Sequence, residues 1–298
     1  MMTLRFAYAA FTACGRSHEA NEDRALMDGI LAGGRLPDES DNRQGTVSQP
    51  FLAAVFDGVG GSTCGDAAAQ TAAEALELGF SYALKKGQPF DHALDAGIEA
   101  CRIATSELQE TINGTALAAV AGIAFDQDTA TVFHAGDVRA LRFRSPYAMR
   151  LTRDHSLAQQ YRDEHGEDAE VPADIAHVIT RCLGDERLDQ VDVENPVPVL
   201  EGDVFLICSD GIWDCVTDEE IEIALAEVAE VISSLNTESE EEADAEAEDA
   251  EQAPAPNATK VELALAMALD ELVARAYSRN AYDDTTAVAL CAVDIQET

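Results

Sequence analysis

Four aspartates stand in similar local settings, and carboxylates so placed can hold metal ions. Asp57 ends the apolar run Phe51–Phe56 and is followed by Gly58, Gly60 and Gly61, and Asp210 follows Val204–Cys208 within Ser209-Asp210-Gly211. Asp137 closes His134-Ala135-Gly136-Asp137, a turn expected to join two strands of a hairpin, and Asp283 and Asp284 come just before the apolar run that ends the chain. Any one of them is sufficiently explained as a turn residue, because an aspartate side chain bonds to nearby backbone. Together they resist that explanation. Strand ends in one sheet converge, and converging carboxylates repel unless a cation neutralises them. An oxygen-only ligand set selects Mg²⁺ or Mn²⁺ over zinc, and none of the six histidines forms a pair with metal-binding spacing. Two hard cations on an aspartate cluster suit hydrolysis of a phosphate ester, where they sharpen a bridging water and absorb phosphoryl charge.

The elements that must position these residues alternate. Strand-like runs are Ala25–Leu31, Phe51–Phe56, Leu117–Phe125, Thr129–His134, Arg139–Phe143, Asp203–Cys208 and Thr286–Val293. Several are apolar on nearly every residue, as strands buried between two layers are. Helical periodicity spaces Ala72, Leu76, Phe80 and Leu84 along Asp66–Lys85, and Leu94, Ile98, Cys101, Leu108 and Ile112 along Asp91–Ile112. Thr217-x-x-Glu220 caps a third helix, Asp218–Leu235, and a fourth, Thr259–Arg279, follows Pro256. Two helices among the early strands and two late in the chain predict one domain over residues 1–298, its sheets covered by helices on the outside.

Composition narrows the partners. With 57 acidic residues against 19 basic ones and a net charge of −38, the chain repels nucleic acid and anionic membrane surfaces. No run approaches the roughly 20 apolar residues of a membrane helix. The apolar start, Met1–Ala13, is short and carries Arg5, so no signal peptide is expected and the protein reads as cytoplasmic. Asn236–Asn257 (NTESEEEADAEAEDAEQAPAPN) is too acidic and too poor in large apolar residues to offset its ordering entropy, and is expected to be a disordered insertion. The seven cysteines are scattered, without a C-x-x-C pair, and none has arginine six positions on; a disulfide framework, a zinc site and a thiolate phosphatase loop are thereby excluded.

In order along the chain, eight motifs resemble those of the PP2C (PPM) class of metal-dependent protein serine/threonine phosphatases, particularly the bacterial single-domain type. They are Asn21-Glu22-Asp23, Val55-Phe56-Asp57-Gly58-Val59-Gly60-Gly61, Gly114-Thr115-Ala116, Gly136-Asp137-Val138-Arg139, Leu151-Thr152-Arg153-Asp154-His155-Ser156, Thr180-Arg181-Cys182-Leu183-Gly184, Cys208-Ser209-Asp210-Gly211-Ile212-Trp213-Asp214 and Asp283-Asp284-Thr285-Thr286. The resemblance implies an α+β fold, a four-layer α-β-β-α sandwich of two antiparallel sheets flanked by helices, with a dinuclear Mn²⁺ or Mg²⁺ site at one end. By position, Asp57 would bridge both ions and the Gly58 carbonyl would bind one. Asp210 and Asp283 would hold the other, and Asp137 with Asp210 a third, weaker ion. Glu22 and Asp23 would orient metal-bound water, and a metal-bridging hydroxide would attack phosphorus in line.

Departures from the family pattern sharpen the expectations. The usual phosphate-gripping arginine is replaced by His18, with Arg16 nearby; Val59 stands where animal members carry a general-acid histidine; and Asp284 replaces an asparagine, a mild change. Ala158–Ala176, read as an irregular polar stretch, falls at the family's substrate-selecting flap; Trp213 is read as a packing anchor and His155 as holding the loop that opens that region. Implied partners are phosphorylated proteins, with a cognate Ser/Thr kinase or its substrates, acted on by a monomer. A pseudophosphatase that only binds phosphoproteins is the first alternative, opposed by the retention of Asp57, Asp210 and Asp283. A hydrolase of small phosphate esters is the second, opposed by the lack of a Gly-rich loop with lysine.

Overall fold

The structure, a computed structural model, describes residues 4–33, 40–59, 62–242, 256–279 and 281–293. In chain order its elements are β1 (Arg5–Ala13), β2 (Arg24–Leu26), β3 (Ile30–Leu31), β4 (Ser40–Ser48), β5 (Phe51–Gly58), α1 (Gly65–Lys85), α2 (Phe90–Thr111), β6 (Ala118–Asp126), β7 (Thr129–Ala135), β8 (Arg139–Arg144), β9 (Tyr147–Arg150), α3 (Leu157–His165), β10 (Asp192–Val193), β11 (Val197–Pro198), β12 (Val204–Cys208), α4 (Asp210–Trp213), α5 (Asp218–Glu242), α6 (Pro256–Ser278) and β13 (Thr285–Val293).

One sheet runs β4-β1-β13-β12-β8-β9 and the other β10-β7-β6-β5-β2-β3, with β11 also on β7. Neighbouring strands pair antiparallel, as Thr12↔Thr286 and Asp57↔Ala119 do. Strand alternation builds the layers. On β13, Val288, Leu290 and Ala292 turn toward the other sheet, where they join Phe6, Phe51, Phe125 and Phe205. Ala287, Ala289, Cys291 and Val293 turn outward to a cluster with α5 and α6. On the second sheet Leu52, Ala54 and Phe56 face α1 and α2 instead. Small outward residues let the helices approach, while the middle layer is filled by aromatic rings at centroid separations of 4.5–5.1 Å. The α+β sandwich of four layers is therefore as expected.

The four expected helices are present within a few residues, and Thr217 and Glu220 exchange the capping bonds, Glu220 N to Thr217 Oγ1 at 3.3 Å and Thr217 N to Glu220 Oε2 at 3.0 Å. Other expectations change. Ala25–Leu31 is two strands, not one, because the chain turns at Asp28 and Gly29, both with positive φ (51° and 99°). Residues 134–137 do not turn a hairpin: β7 and β8 lie in different sheets, and Gly136 at φ 117° carries the chain across. The first half of Ala158–Ala176 is helix α3, capped by the Ser156 side chain, which accepts from Gln159 N. Helix α5 continues to Glu242 and α6 starts at Pro256, so both ends of the expected insertion are helical, and 243–255 lie outside the described residues. No helix among the described residues is long and apolar enough to cross a membrane.

Candidate metal centre

The predicted carboxylates meet at one end of the sandwich, and they come from both sheets rather than one. Asp57 ends β5, and Asp23 precedes β2, which pairs with β5 at Arg24↔Phe56. Asp210 opens α4 directly after β12, and Asp283 lies two residues before β13, whose Ala287 is opposite Cys208. Asp137 reaches the same end because the next strand pairs Arg139 with Cys208.

Electrostatics records the convergence. Burial drives the Asp57 carboxyl well above its ordinary pKa, helped by Asp23, Asp210, Asp137 and Asp283. Asp210 is driven up the same way, by burial and then Asp283, Asp137 and Asp23. Asp23 is pushed up to about 8, first by burial and then by Asp284, against hydrogen bonds from Thr286 and Ser209. Asp137 rises to about 6 through burial and Asp154, opposed by Arg139 and His177. Glu22 is raised mainly by burial, with His18 opposing. Such a cluster is stable as carboxylates only with added positive charge.

Close backbone approaches hold the cluster. A Cβ on Gly58 would lie 2.7 Å from the Gly65 carbonyl carbon and 2.8 Å from Glu22 Cβ, so the end of β5, the start of α1 and Glu22 are in direct contact. A Cβ on Gly211 would lie 2.0 Å from the Asp284 carbonyl oxygen, which sets α4 against the approach to β13. Thr63 N and Cys64 N both donate to Thr115 O at 3.0 Å, so the Gly-Thr-Ala motif pins the loop between β5 and α1.

Asp284 is far from a mild replacement. It is 1% exposed and accepts from Gly15 N at 2.6 Å, from Glu22 N at 2.6 Å and from His18 Nδ1 at 2.9 Å. Nearby, Asn21 Nδ2 donates to Thr12 Oγ1 at 2.8 Å, Thr12 Oγ1 meets Thr286 Oγ1 at 2.7 Å, and Asn21 Oδ1 accepts from Asp23 N at 2.9 Å. The hydrogen bond to Asp284, aided by the charges of Asp284 and Asp283, pushes His18 up to about 9, so at neutral pH the ring is an imidazolium beside the carboxylates. The sequence reading missed the ordering roles of Asp284, Asn21 and Thr12; the doubled aspartate before Thr285 and the motif Asn21-Glu22-Asp23 were their visible signals.

Beside Asp137 a cavity of about 100 Å³ is lined by Arg139, Arg162, His177, Trp213 and Asp214, among others. Trp213 packs as expected, under the Arg139 guanidinium at 3.6 Å from the ring centre, and Arg139 also pairs with Asp154 at 2.9 Å. His155 holds its loop through both backbone and ring: its N–H donates to Gly136 O at 2.8 Å, and its Nδ1 accepts from Gly136 N at 3.2 Å.

The donor set fits hard divalent cations. It is made of oxygens, its buried carboxyls repel one another, and the buried Asp23 Oδ2 has no hydrogen-bond partner.

Comparison with known proteins identifies the family and the fold. The model of the family described as Protein phosphatase 2C matches residues 15–251. The serine/threonine phosphatase stp of Listeria monocytogenes serotype 4b is 28% identical over 182 residues, covering 59% of this chain and 71% of that protein. The serine/threonine protein phosphatase PstP of Mycobacterium tuberculosis is 30% identical over 241 residues, covering 77% of this chain and 41% of PstP. The crystal structure of M. tuberculosis PstP shares the fold with a TM-score of 0.67 at 23% identity, covering 97% of this chain and 100% of that one. A structure of the PstP catalytic domain in complex with two manganese ions does so with a TM-score of 0.62 at 23% identity, covering 98% and 100%.

Proposed function

Because the chain belongs to the protein phosphatase 2C family, a metal-dependent family, we propose that this cluster hydrolyses phosphoserine and phosphothreonine esters on proteins. The observation that carries the reading is the meeting of Asp23, Asp57, Asp137, Asp210 and Asp283 at one end of the sandwich, with burial and mutual repulsion raising Asp23, Asp57, Asp137 and Asp210. Asp57 and the Gly58 carbonyl would hold one Mn²⁺ or Mg²⁺, Asp57 with Asp210 and Asp283 a second, and Asp137 with Asp210 a third and weaker one. When bound, the ions acidify a water and absorb the charge that develops on the phosphoryl group.

The remaining tasks fall to the chain. Glu22 and Asp23, on the segment that Asp284 and Asn21 hold in place, orient the attacking water. His18, an imidazolium bound to Asp284, offers the phosphate a positive charge at the place where the family usually carries arginine. Val59 supplies no proton, so water or another residue protonates the departing serine or threonine oxygen. The cavity between α3 and Trp213 gives the substrate chain a place to lie beside Asp137. The relatives named as serine/threonine phosphatases support phosphorylated proteins as substrates. The reading extends to a monomer opposing a Ser/Thr kinase in the cytoplasm, where seven free thiols suit the reducing conditions.

The test is hydrolysis of a phosphothreonine peptide by the purified protein in Mn²⁺, in Mg²⁺ and in chelator, beside Asp57→Ala and Asp210→Ala. Turnover that needs the metal and vanishes in both variants is expected. Folded, metal-loaded protein that releases no phosphate from the peptide would sink the reading.

A further inference from the structure

Next to the acidic cluster, the loop-holding His155 is joined by three side chains with no task so far: His134, Arg181 and Asp192. Asp192 faces His134 across the β10–β7 pairing. The proton on the His155 ring decides what the group does. Gly136 N–H points at Nδ1 from 3.2 Å, so Nδ1 carries the lone pair and the single proton of the neutral ring sits on Nε2. Nε2 then donates to Asp192 Oδ2 at 3.1 Å. Arg181 grips the same carboxylate with Nη1 on Oδ2 at 3.0 Å and Nη2 on Oδ1 at 2.6 Å, and Nη2 also donates to Gln190 O at 2.9 Å. The buried His134 ring stacks on His155 with centroids 4.7 Å apart.

Both backbone polar groups of Gly136 go to His155. The Gly136 φ of 117° suits glycine, and a Cβ would strike Ala119 Cβ at 2.3 Å. Its N–H goes to the His155 ring and its C=O accepts from His155 N, so one residue binds both polar groups of the residue before Asp137. We propose that His155 is a positioning residue: its Nδ1 lone pair, locked in that tautomer by Asp192 and Arg181, holds the Gly136 amide and so aims Asp137 at the metal cluster. The proposal rests on the reading of Asp137 as a ligand of the weaker ion.

The same atoms admit a rival. His134, His155 and Asp192 each bring a donor atom within 4.8 Å of the others, close enough to share a metal ion. Such an ion needs a lone pair on His155 Nε2, where the Gly136 bond places the proton. Arg181 Nη1, 3.2 Å from Nε2, already supplies a cation there. Positioning is therefore the better account.

Long-range ¹H–¹⁵N spectra of the metal-free full chain are expected to show His155 protonated on Nε2 and Gly136 N–H slow to exchange. Mn²⁺ binding is then followed by titration calorimetry in three variants. His155→Gln puts its amide near Nε2 and leaves Gly136 N–H unpaired, whereas His155→Asn keeps an oxygen near Nδ1. The Gln variant should bind the weakest Mn²⁺ about tenfold or more less tightly, as loss of an outer-shell partner does, with the tighter ions unchanged and the Asn variant close to wild type. Asp137→Ala should lose the weakest ion. If it binds like wild type, the ligand reading of Asp137 fails and takes the proposal with it. If Asp137→Ala loses the ion while His155→Gln keeps it, positioning alone is overturned. A proton on Nδ1, or Zn²⁺ bound at His155, overturns it on wild-type protein even if the Gln variant does not fold.

Discussion

Replacing Asp23 by asparagine should stabilise the metal-free protein, and do so more as the pH rises. Asp23 is 1% exposed, and its pKa climbs from 3.8 to about 8, first through burial and then through Asp284. A carboxyl whose folded pKa exceeds its unfolded one stabilises fully below the unfolded value, and that contribution is lost as pH rises through the folded value. Between pH 4 and pH 8 the unfolded chain can ionise Asp23 freely while the folded chain cannot. The gap corresponds to at most about 6 kcal/mol. A proton taken by any member of the cluster relieves the others, so the effect visible at Asp23 should fall below that ceiling. Asparagine has nearly the same shape and cannot ionise. Urea unfolding in chelator at pH 5, 6, 7 and 8 measures the difference between the two proteins, expected smallest at pH 5 and largest at pH 8. Saturating Mn²⁺ should flatten that pH dependence, because the cation supplies the missing counter-charge. A difference that does not vary with pH in chelator, or a wild type that gains on the variant toward pH 8, would refute the buried cluster.

Phe125→Ala removes a ring stacked among Phe6, Phe51 and Phe205, and should cost about 3–5 kcal/mol in urea unfolding while the folded fraction keeps its metal-dependent turnover. Gly211→Ala forces a methyl against the Asp284 carbonyl and should cost about 2 kcal/mol or more of stability and weaken Mn²⁺ binding, read by calorimetry. Asp284→Ala leaves the Gly15 and Glu22 N–H groups unpaired, at a cost of about 3 kcal/mol. It should also return His18 from about 9 toward 6.5, which an NMR pH titration of the ring would follow.

The elements easiest to read in the sequence were those whose burial is uniform. β5, β6, β12 and β13 are apolar on nearly every residue because both faces are covered, and α1 and α2 repeat at helical spacing because only one face is. β1, although central, went unread: Arg5-Phe6-Ala7-Tyr8-Ala9-Ala10-Phe11-Thr12-Ala13 alternates large with small, and alanine favours helix as readily as strand. β4 went unread because Ser40–Ser48 lies at a sheet edge, mostly polar and held by backbone pairing to β1. The carboxylates of the site were visible as aspartates beside glycine at strand ends. What local spacing could not reveal was that they come from two sheets, since the crossing at Gly136 looks in sequence like the tight turn of a hairpin.

His18 and Asp284, which stand in the sequence as two separate departures from the family pattern, are bonded to each other in the structure. His18 Nδ1 and Asp284 Oδ2 lie 2.9 Å apart. An isolated histidine there would be mostly neutral at neutral pH and a poor grip for a phosphate. Asp284 keeps it charged, and at the same time holds Gly15 N and Glu22 N, so the segment that carries Glu22 and Asp23 is tied to the residue just before β13. Asp284 also has a cost, because its charge is the next largest contribution after burial to the rise of Asp23. The aspartate that makes His18 a usable cation is thus the one that leaves Asp23 most in need of another. In the proposed reading, the phosphate grip and the metal requirement of this site both depend on that single side chain.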